Sequence, residues 1–293
     1  MTFIFYMIKL YWKNKNGVLY TMKNNVDEIV KAIKDRVNIE GPYTGVILGT
    51  CFSSYLDEIQ DRKEIPFSEL PELKSIGSDK GENKFVIGTI NGKKVIMILG
   101  RVHYSLGYEY CDIATPIFVL KELGCEKLIL CSSLGAISKK IKVGDIVTIE
   151  DHVNLTGRNP LYNCDYNKYG HKFVDMSNAY DEQLMDTLVY TAKKEMAIKV
   201  KRGILVEFPG PSAETVAECN FAAQIGADVM GFNVCSEIIA AKYCKLPVVV
   251  YALVTNYVSA YTNNKIKHED IVYNRKCASA YYLELLSRFV TNV

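Results

Sequence analysis

The sequence predicts an α/β fold: a single domain with a central mixed β-sheet flanked by helices. Three observations carry that expectation. Apolar, β-branched runs of strand length alternate with segments of helical apolar spacing along most of the chain. An Asn91-Gly92 pair sits between two such runs and signals a hairpin, so some strand neighbours are antiparallel. No linker, repeat or low-complexity stretch divides the 293 residues, a length that one large α/β domain accommodates.

In chain order, residues 26–36 carry helical apolar spacing. Residues 45–49 read as a buried strand running into a turn, with a short helical segment at 53–59. Residues 84–90 and 94–99 are the two arms of the hairpin. Strands follow at 127–130, 145–149, 203–208, 228–232 and 248–254. Helices fit 181–197, 213–225 and 236–243, and a closing helix runs from His268 to the end. In such folds a ligand lies where buried strands give way to loops. The strand ends expected to do this are Gly49-Thr50, Gly100-Arg101, Cys131-Ser132-Ser133, Phe232-Asn233 and Thr255-Asn256.

The bulk numbers narrow the class. Hydrophobic content of 49% with 23% charged residues is ordinary for a soluble globular protein. A formal net charge of +2 gives no polyanion-binding surface, which argues against nucleic acid as a partner. Nine cysteines are scattered with no Cys-x-x-Cys, so neither a zinc knuckle nor a redox pair is signalled. That usage implies a reducing, cytoplasmic setting. The apolar opening Met1–Ile8 is ended by Lys9; it is too short for a membrane span and lacks the order of a secretory signal. Residues 1–21 therefore read as an N-terminal extension, a short strand or an oligomer contact, and the domain as residues 22–293.

Several constellations can carry chemistry. Gly210-Pro211-Ser212-Ala213-Glu214-Thr215 places Glu214 just beyond a Gly-Pro turn, at the expected start of a helix. A carboxylate aimed by that turn suits the N–H edge of a heterocycle; the alternative is a capping pair of Ser212 with a nearby Glu. Arg101 and His103, two apart on an extended segment, point the same way and can clamp a phosphate dianion. Thr50 offers a hydroxyl and backbone N–H for an anion, or else an N-cap. Asn256 can donate to one ring nitrogen and accept from another, or else form an Asx-turn. His268 stands at the front of the last helix, where it can reach back over a site or simply be solvated.

The ordered set of motifs is more specific than any member. Gly100-Arg101-Val102-His103, Val143-Gly144-Asp145-Ile146, Asp151-His152-Val153-Asn154-Leu155-Thr156-Gly157 and Asn159-Pro160-Leu161 come first. Gly210-Pro211-Ser212-Ala213-Glu214-Thr215, Gly226-Ala227-Asp228-Val229-Met230-Gly231, Glu237 and Thr255-Asn256 follow. From about residue 24 to its C-terminus the chain resembles the trimeric, low-molecular-mass purine nucleoside phosphorylases.

The resemblance implies phosphorolysis of a purine (deoxy)nucleoside to free base and pentose 1-phosphate, with phosphate as co-substrate and no cofactor or metal. Arg101 and His103 would bind phosphate, joined by Thr50 where the family has Ser, by Ser133 and by Asn233. Glu214 would accept the N1–H of a 6-oxopurine, and Asn256, supported by Thr255, would hydrogen-bond N7. His268 would meet the ribose 5′-hydroxyl. Leu134, Ala213, Met230 and Phe232 would line base and sugar, and Tyr169 would cover the site of a neighbouring subunit in a homotrimer. His103, Glu214, Asn256 and His268 are the catalytic candidates. Asn256 with Glu214 favours inosine and guanosine, since relatives that cleave methylthioadenosine carry Asp at the Asn256 position.

The chain also departs from the pattern. Its phosphate loop reads Gly49-Thr50-Cys51-Phe52-Ser53-Ser54, with side chains at Cys51 and Ser53 in place of glycines. Ala213 replaces a base-stacking Phe, Ser105 a sugar-contacting Tyr, Phe232 a Met and Tyr257 a Lys. Ser132-Ser133-Leu134-Gly135-Ala136 replaces an Asn-Ala-Ala-Gly-Gly segment. A wider base cavity and altered substrate use follow as expectations, with a non-catalytic nucleoside or purine binder as the second reading.

Overall fold

The computed structural model describes residues 25–73, 83–103, 106–162, 164, 168–258 and 268–293. The expected extension at residues 1–21 lies outside them. Among the described residues, nine strands form one sheet: β1 (Tyr43–Leu48), β2 (Gln60–Pro66), β3 (Lys84–Ile90), β4 (Lys93–Leu99), β5 (Cys125–Ala136), β6 (Ile146–Asn154), β7 (Val200–Glu207), β8 (Val229–Gly231) and β9 (Val248–Tyr257). Their order is β2-β3-β4-β1-β5-β8-β7-β6-β9, and β9 also pairs with β5. The last five strands therefore close on themselves. Pairs β1–β4, β1–β5, β5–β9, β6–β7 and β7–β8 are parallel; β2–β3, β3–β4, β5–β8 and β6–β9 are antiparallel. The sheet is mixed, as expected.

Six α-helices among the described residues cover it: α1 (Val26–Lys34), α2 (Tyr110–Glu122), α3 (Glu182–Met196), α4 (Val216–Gln224), α5 (Cys235–Tyr243) and α6 (His268–Asn292). Every residue of β1 is buried, as is β9 from Val248 to Thr255. Strands covered on both faces need continuous apolar runs rather than alternation, and the sequence supplies them. Helix α1 shows the other pattern: Val26, Ile29, Val30 and Ile33 are buried on one face, and the Asn25 side chain accepts the Glu28 N–H at the N-terminus.

The hairpin forms as read, with Asn91 and Gly92 both at positive φ (49° and 77°), as a tight two-residue connection requires. Strands β5, β6 and β9 run several residues past their expected ends. Ser132, Ser133, Thr255 and Asn256 thus sit on the final turns of strands rather than beyond them. The segment expected as a short helix is a 3-10 turn over Thr50–Glu58. Two elements carry no readable signal in the sequence. Helix α2 is buried from Asp112 to Leu120, so it lacks an amphipathic stripe, and Pro116 lies inside it. Strand β2 is an edge strand whose first five residues are exposed, so its charges read as a loop.

Helix α4 begins later than expected, at Val216. Its start is fixed by a capping box: the Thr215 hydroxyl accepts the Glu218 N–H at 3.2 Å, and Glu218 accepts the Thr215 N–H at 2.7 Å. Ser212 is not the cap. Glu214 is left outside the helix, on the extended segment ahead of it.

Candidate active site

A cavity of about 440 Å³ opens at the ends of the central strands. Gly49, after β1, and Arg101 and His103, after β4, form one wall. Ser132, Ser133 and Leu134 of β5 form the floor, with Thr255 and Asn256 of β9 beside them. Met230 of β8, then Phe232 and Asn233, line the cavity too, together with Ala213 and Glu214. Eleven of the residues singled out in the sequence therefore face one space. A cleft of about 460 Å³ between the segment ahead of α3 and the loop after α5 shows no such convergence; Lys242 there donates to the Asn178 carbonyl.

The cationic wall is built by Gly100. It follows β4 at φ +104°, a conformation that side chains resist, and its N–H donates to the Leu48 carbonyl at 2.8 Å. That turn sends Arg101 inward, where it is 7% exposed. Its Nε donates to Glu237 Oε1 at 2.9 Å, and its Nη1 to the Cys131 carbonyl at 3.0 Å and Asn233 Oδ1 at 3.4 Å. Its buried Nη2 has no acceptor among the described residues. A guanidinium held this firmly, with donors left over, is preorganised for an oxyanion. Burial alone would lower its pKa; the charge and hydrogen bond of Glu237 outweigh that and raise it.

His103 is half-buried beside it. Burial, and then the Arg101 charge, push its pKa down to about 4. The imidazole is therefore neutral at neutral pH and offers one N–H. Asn233 turns its Oδ1 toward Arg101 and also accepts the Ser132 hydroxyl at 2.9 Å. The backbone of Thr50 adjoins Gly49 at the start of the 3-10 turn. The Thr50 and His268 side chains, and Ser105, lie outside the described parts of the structure; His268 opens α6.

The same cavity carries an acid and an amide. Burial raises the Glu214 carboxyl above its ordinary value, with a backbone N–H opposing the shift and Glu218 adding to it. The Thr255 hydroxyl donates to Asn256 Oδ1 at 3.0 Å, and Asn256 Nδ2 donates to the Tyr257 carbonyl at 3.2 Å. The amide orientation is fixed by the first bond, which leaves the NH2 group as the donor end. The floor is tight: a Cβ on Gly231 would lie 2.4 Å from Leu134 Cδ2.

Tyr169 is elsewhere. Its ring packs between Phe118 of α2 and Tyr243 of α5, at centroid distances of 6.4 and 5.7 Å, and its hydroxyl donates to Glu122. It does not face the chain's own cavity. Sequence reasoning missed Phe52, Ile271 and Arg275, all of which line the cavity. Phe52 stacks on buried Tyr282, with ring centroids 5.3 Å apart. Ile271 and Arg275 lie three and seven residues after His268, and that helical spacing was a signal available in the sequence.

With this geometry in view, the relatives are informative. The family model of the phosphorylase superfamily matches residues 44–291. Purine nucleoside phosphorylase 1 of Bacillus subtilis is 29% identical over 269 residues, covering 92% of this chain and 98% of that protein. Purine nucleoside phosphorylase of Mus musculus is 32% identical over 257 residues, covering 85% and 87%. Among solved structures, the Schistosoma mansoni purine nucleoside phosphorylase in complex with inosine superposes with a TM-score of 0.86 at 28% identity, covering 92% of this chain and 96% of that one.

Proposed function

The chain belongs to the phosphorylase superfamily, among the purine nucleoside phosphorylases, and from that membership we propose how its cavity performs phosphorolysis. The enzyme is a pentosyltransferase: it cleaves the N-glycosidic bond of purine nucleosides with phosphate, releasing the base and pentose 1-phosphate. One observation carries the assignment of roles. A buried guanidinium with spare donors and an acid–amide pair line a single cavity.

Phosphate takes the Arg101 wall, with the neutral His103 as a second donor and the Thr50, Ser133 and Asn233 positions around it. Its oxygen forms a bond to C1′ as the C1′–N9 bond breaks, and the bonding pair leaves on the purine. Rate comes from holding the anion beneath a sugar that gains positive charge, and from stabilising the departing ring. Asn256 donates to N7 as that ring gains electron density. Glu214 accepts the N1–H of a 6-oxopurine. Adenine presents a lone pair there, and the resulting mismatch costs about 1–3 kcal/mol, more for a charged group. Inosine and guanosine are therefore the preferred substrates. Ala213, Leu134, Met230 and Phe232 surround base and sugar, and His268 meets the 5′-hydroxyl.

The working form is a cytoplasmic homotrimer, a reading supported by the family resemblance, with Tyr169 offered to a neighbouring subunit. Incubating the protein with inosine, with and without phosphate, tests the activity. Hypoxanthine release that requires phosphate is expected. Release that ignores phosphate, or hypoxanthine binding without turnover, would contradict it.

A further inference from the structure

Behind the cationic wall lies a carboxyl group to which phosphorolysis as derived above gives no task. Glu207 ends β7 and is completely buried. Its Oε2 accepts the Cys235 N–H, in the first turn of α5, at 2.7 Å. Two residues further along that turn, Glu237 holds Arg101. The second oxygen of each acid, Glu207 Oε1 and Glu237 Oε2, is buried and has no donor among the described residues. Two buried carboxyl groups, one bound to the guanidinium and one to the Cys235 N–H, thus meet at the first turn of α5 with two acceptor oxygens left over.

Two carboxylates buried against a single cation favour retention of a proton. The charge-assisted bond to Arg101 is made by Glu237 and not by Glu207. Glu207 receives the Cys235 N–H and thiol but no charged donor, so the proton belongs there. We infer that Glu207 is a positioning residue for the nucleophile, acting through the Glu237–Arg101 pair. Protonated, it leaves the guanidinium free to hold a dianion. Ionised, it adds a negative charge behind the pair and loosens that hold. The inference rests on the reading of Arg101 as a phosphate ligand.

Burial pushes the Glu207 carboxyl up to about 7; bonds from the Cys235 N–H and thiol oppose the shift, Glu237 adds to it and Arg101 reduces it. The other titratable and charged groups around it are Cys235, Glu237 and Arg101, with Tyr110 on α2 and Tyr180 ahead of α3. Behind Tyr180, β6 contributes Asp151 and His152, the latter hydrogen-bonded to the Tyr180 hydroxyl at 2.8 Å. Burial raises Cys235, Tyr110 and Tyr180 and lowers His152, all away from neutrality. His103, beside Arg101, is pushed down to about 4 by burial and the Arg101 charge.

Sulfate is the appropriate probe, because it is a dianion that does not titrate between pH 6 and 8.5. Its inhibition constant against phosphate is measured across that range in the wild type and in Glu207→Gln, which keeps the shape and the acceptor for Cys235. In the wild type, sulfate binding weakens at least about tenfold as pH rises through about 7, the effect of one charge within about 12 Å at an effective dielectric constant near 20. In Glu207→Gln the profile is flat in that window. Parallel profiles in the two proteins would overturn the inference.

Should the variant fail to fold, a second measurement uses His103→Asn with Glu207 intact. Calorimetry in two buffers of different ionisation enthalpy at pH 7.5 then shows proton uptake on sulfate binding. Absence of uptake overturns the inference. Failure of sulfate to compete with phosphate at all removes Arg101 as the anion ligand, an outcome distinct from parallel profiles.

Discussion

Arg101 illustrates how one side chain becomes a binding instrument. Glu237, Cys131 and Asn233 occupy Nε and Nη1, so the remaining donors point in a fixed direction at no further ordering cost. Glu214 performs the complementary task on the base. Glu214→Gln replaces the acceptor by an amide and removes the charge assistance. We expect kcat/KM for inosine to fall about 10- to 150-fold, as loss of a charged hydrogen bond of about 1.5–3 kcal/mol implies. Adenosine cleavage should fall far less, and an equal loss on both nucleosides would remove Glu214 from base recognition. The residue types here were legible from chemistry alone: a guanidinium, an imidazole, an acid and an amide in a fixed order. Phe52 was not, because an aromatic in a turn carries no sign of the cavity it faces, and Arg275 was marked only by its helical spacing from His268.

Each of these groups depends on the element that delivers it. Gly100 turns the chain at the end of β4 and so sets the direction of Arg101. An Ala there would meet both an unfavourable φ and Asn83, whose Oδ1 would lie 2.0 Å from the new Cβ. Gly100→Ala should cost at least about 2 kcal/mol of stability and raise KM for phosphate more than KM for inosine. Thermal melts and steady-state kinetics read both; unchanged values would show that the turn does not set Arg101. At this scale the sequence was readable where burial left a pattern. Strands β1, β4 and β9 and helix α1 have apolar spacing that matches their surroundings. Helix α2 was hidden because it is buried on every side, and β2 because an edge strand can carry charges throughout. The late start of α4 turned on Thr215 and Glu218, a capping box only three residues beyond the expected Ser212.

For the molecule as a whole, the mixed sheet and the single domain were expected from the alternation of strand-like and helix-like segments, the Asn91-Gly92 hairpin and the lack of a linker, and the family from motif order. Subunit association is a different matter, since the sequence speaks to it only through resemblance. In the structure Val216, Phe221 and Ile225 on or next to α4 are 55%, 49% and 39% exposed, beside the segment that carries Glu214. Apolar side chains clustered on an exposed helix suit an interface. The proposed homotrimer predicts a solution mass three times the 33.0 kDa of the chain by light scattering. A fully active monomer would remove Tyr169 from any neighbour's site. The central claim, that nucleophile and nucleobase share one cavity, is tested most directly by a crystal grown with hypoxanthine and ribose 1-phosphate. The account predicts the phosphate on Arg101 and His103, with the base on Glu214 and Asn256. Density for either product outside that cavity, with Arg101 and Glu214 left bare, would contradict it.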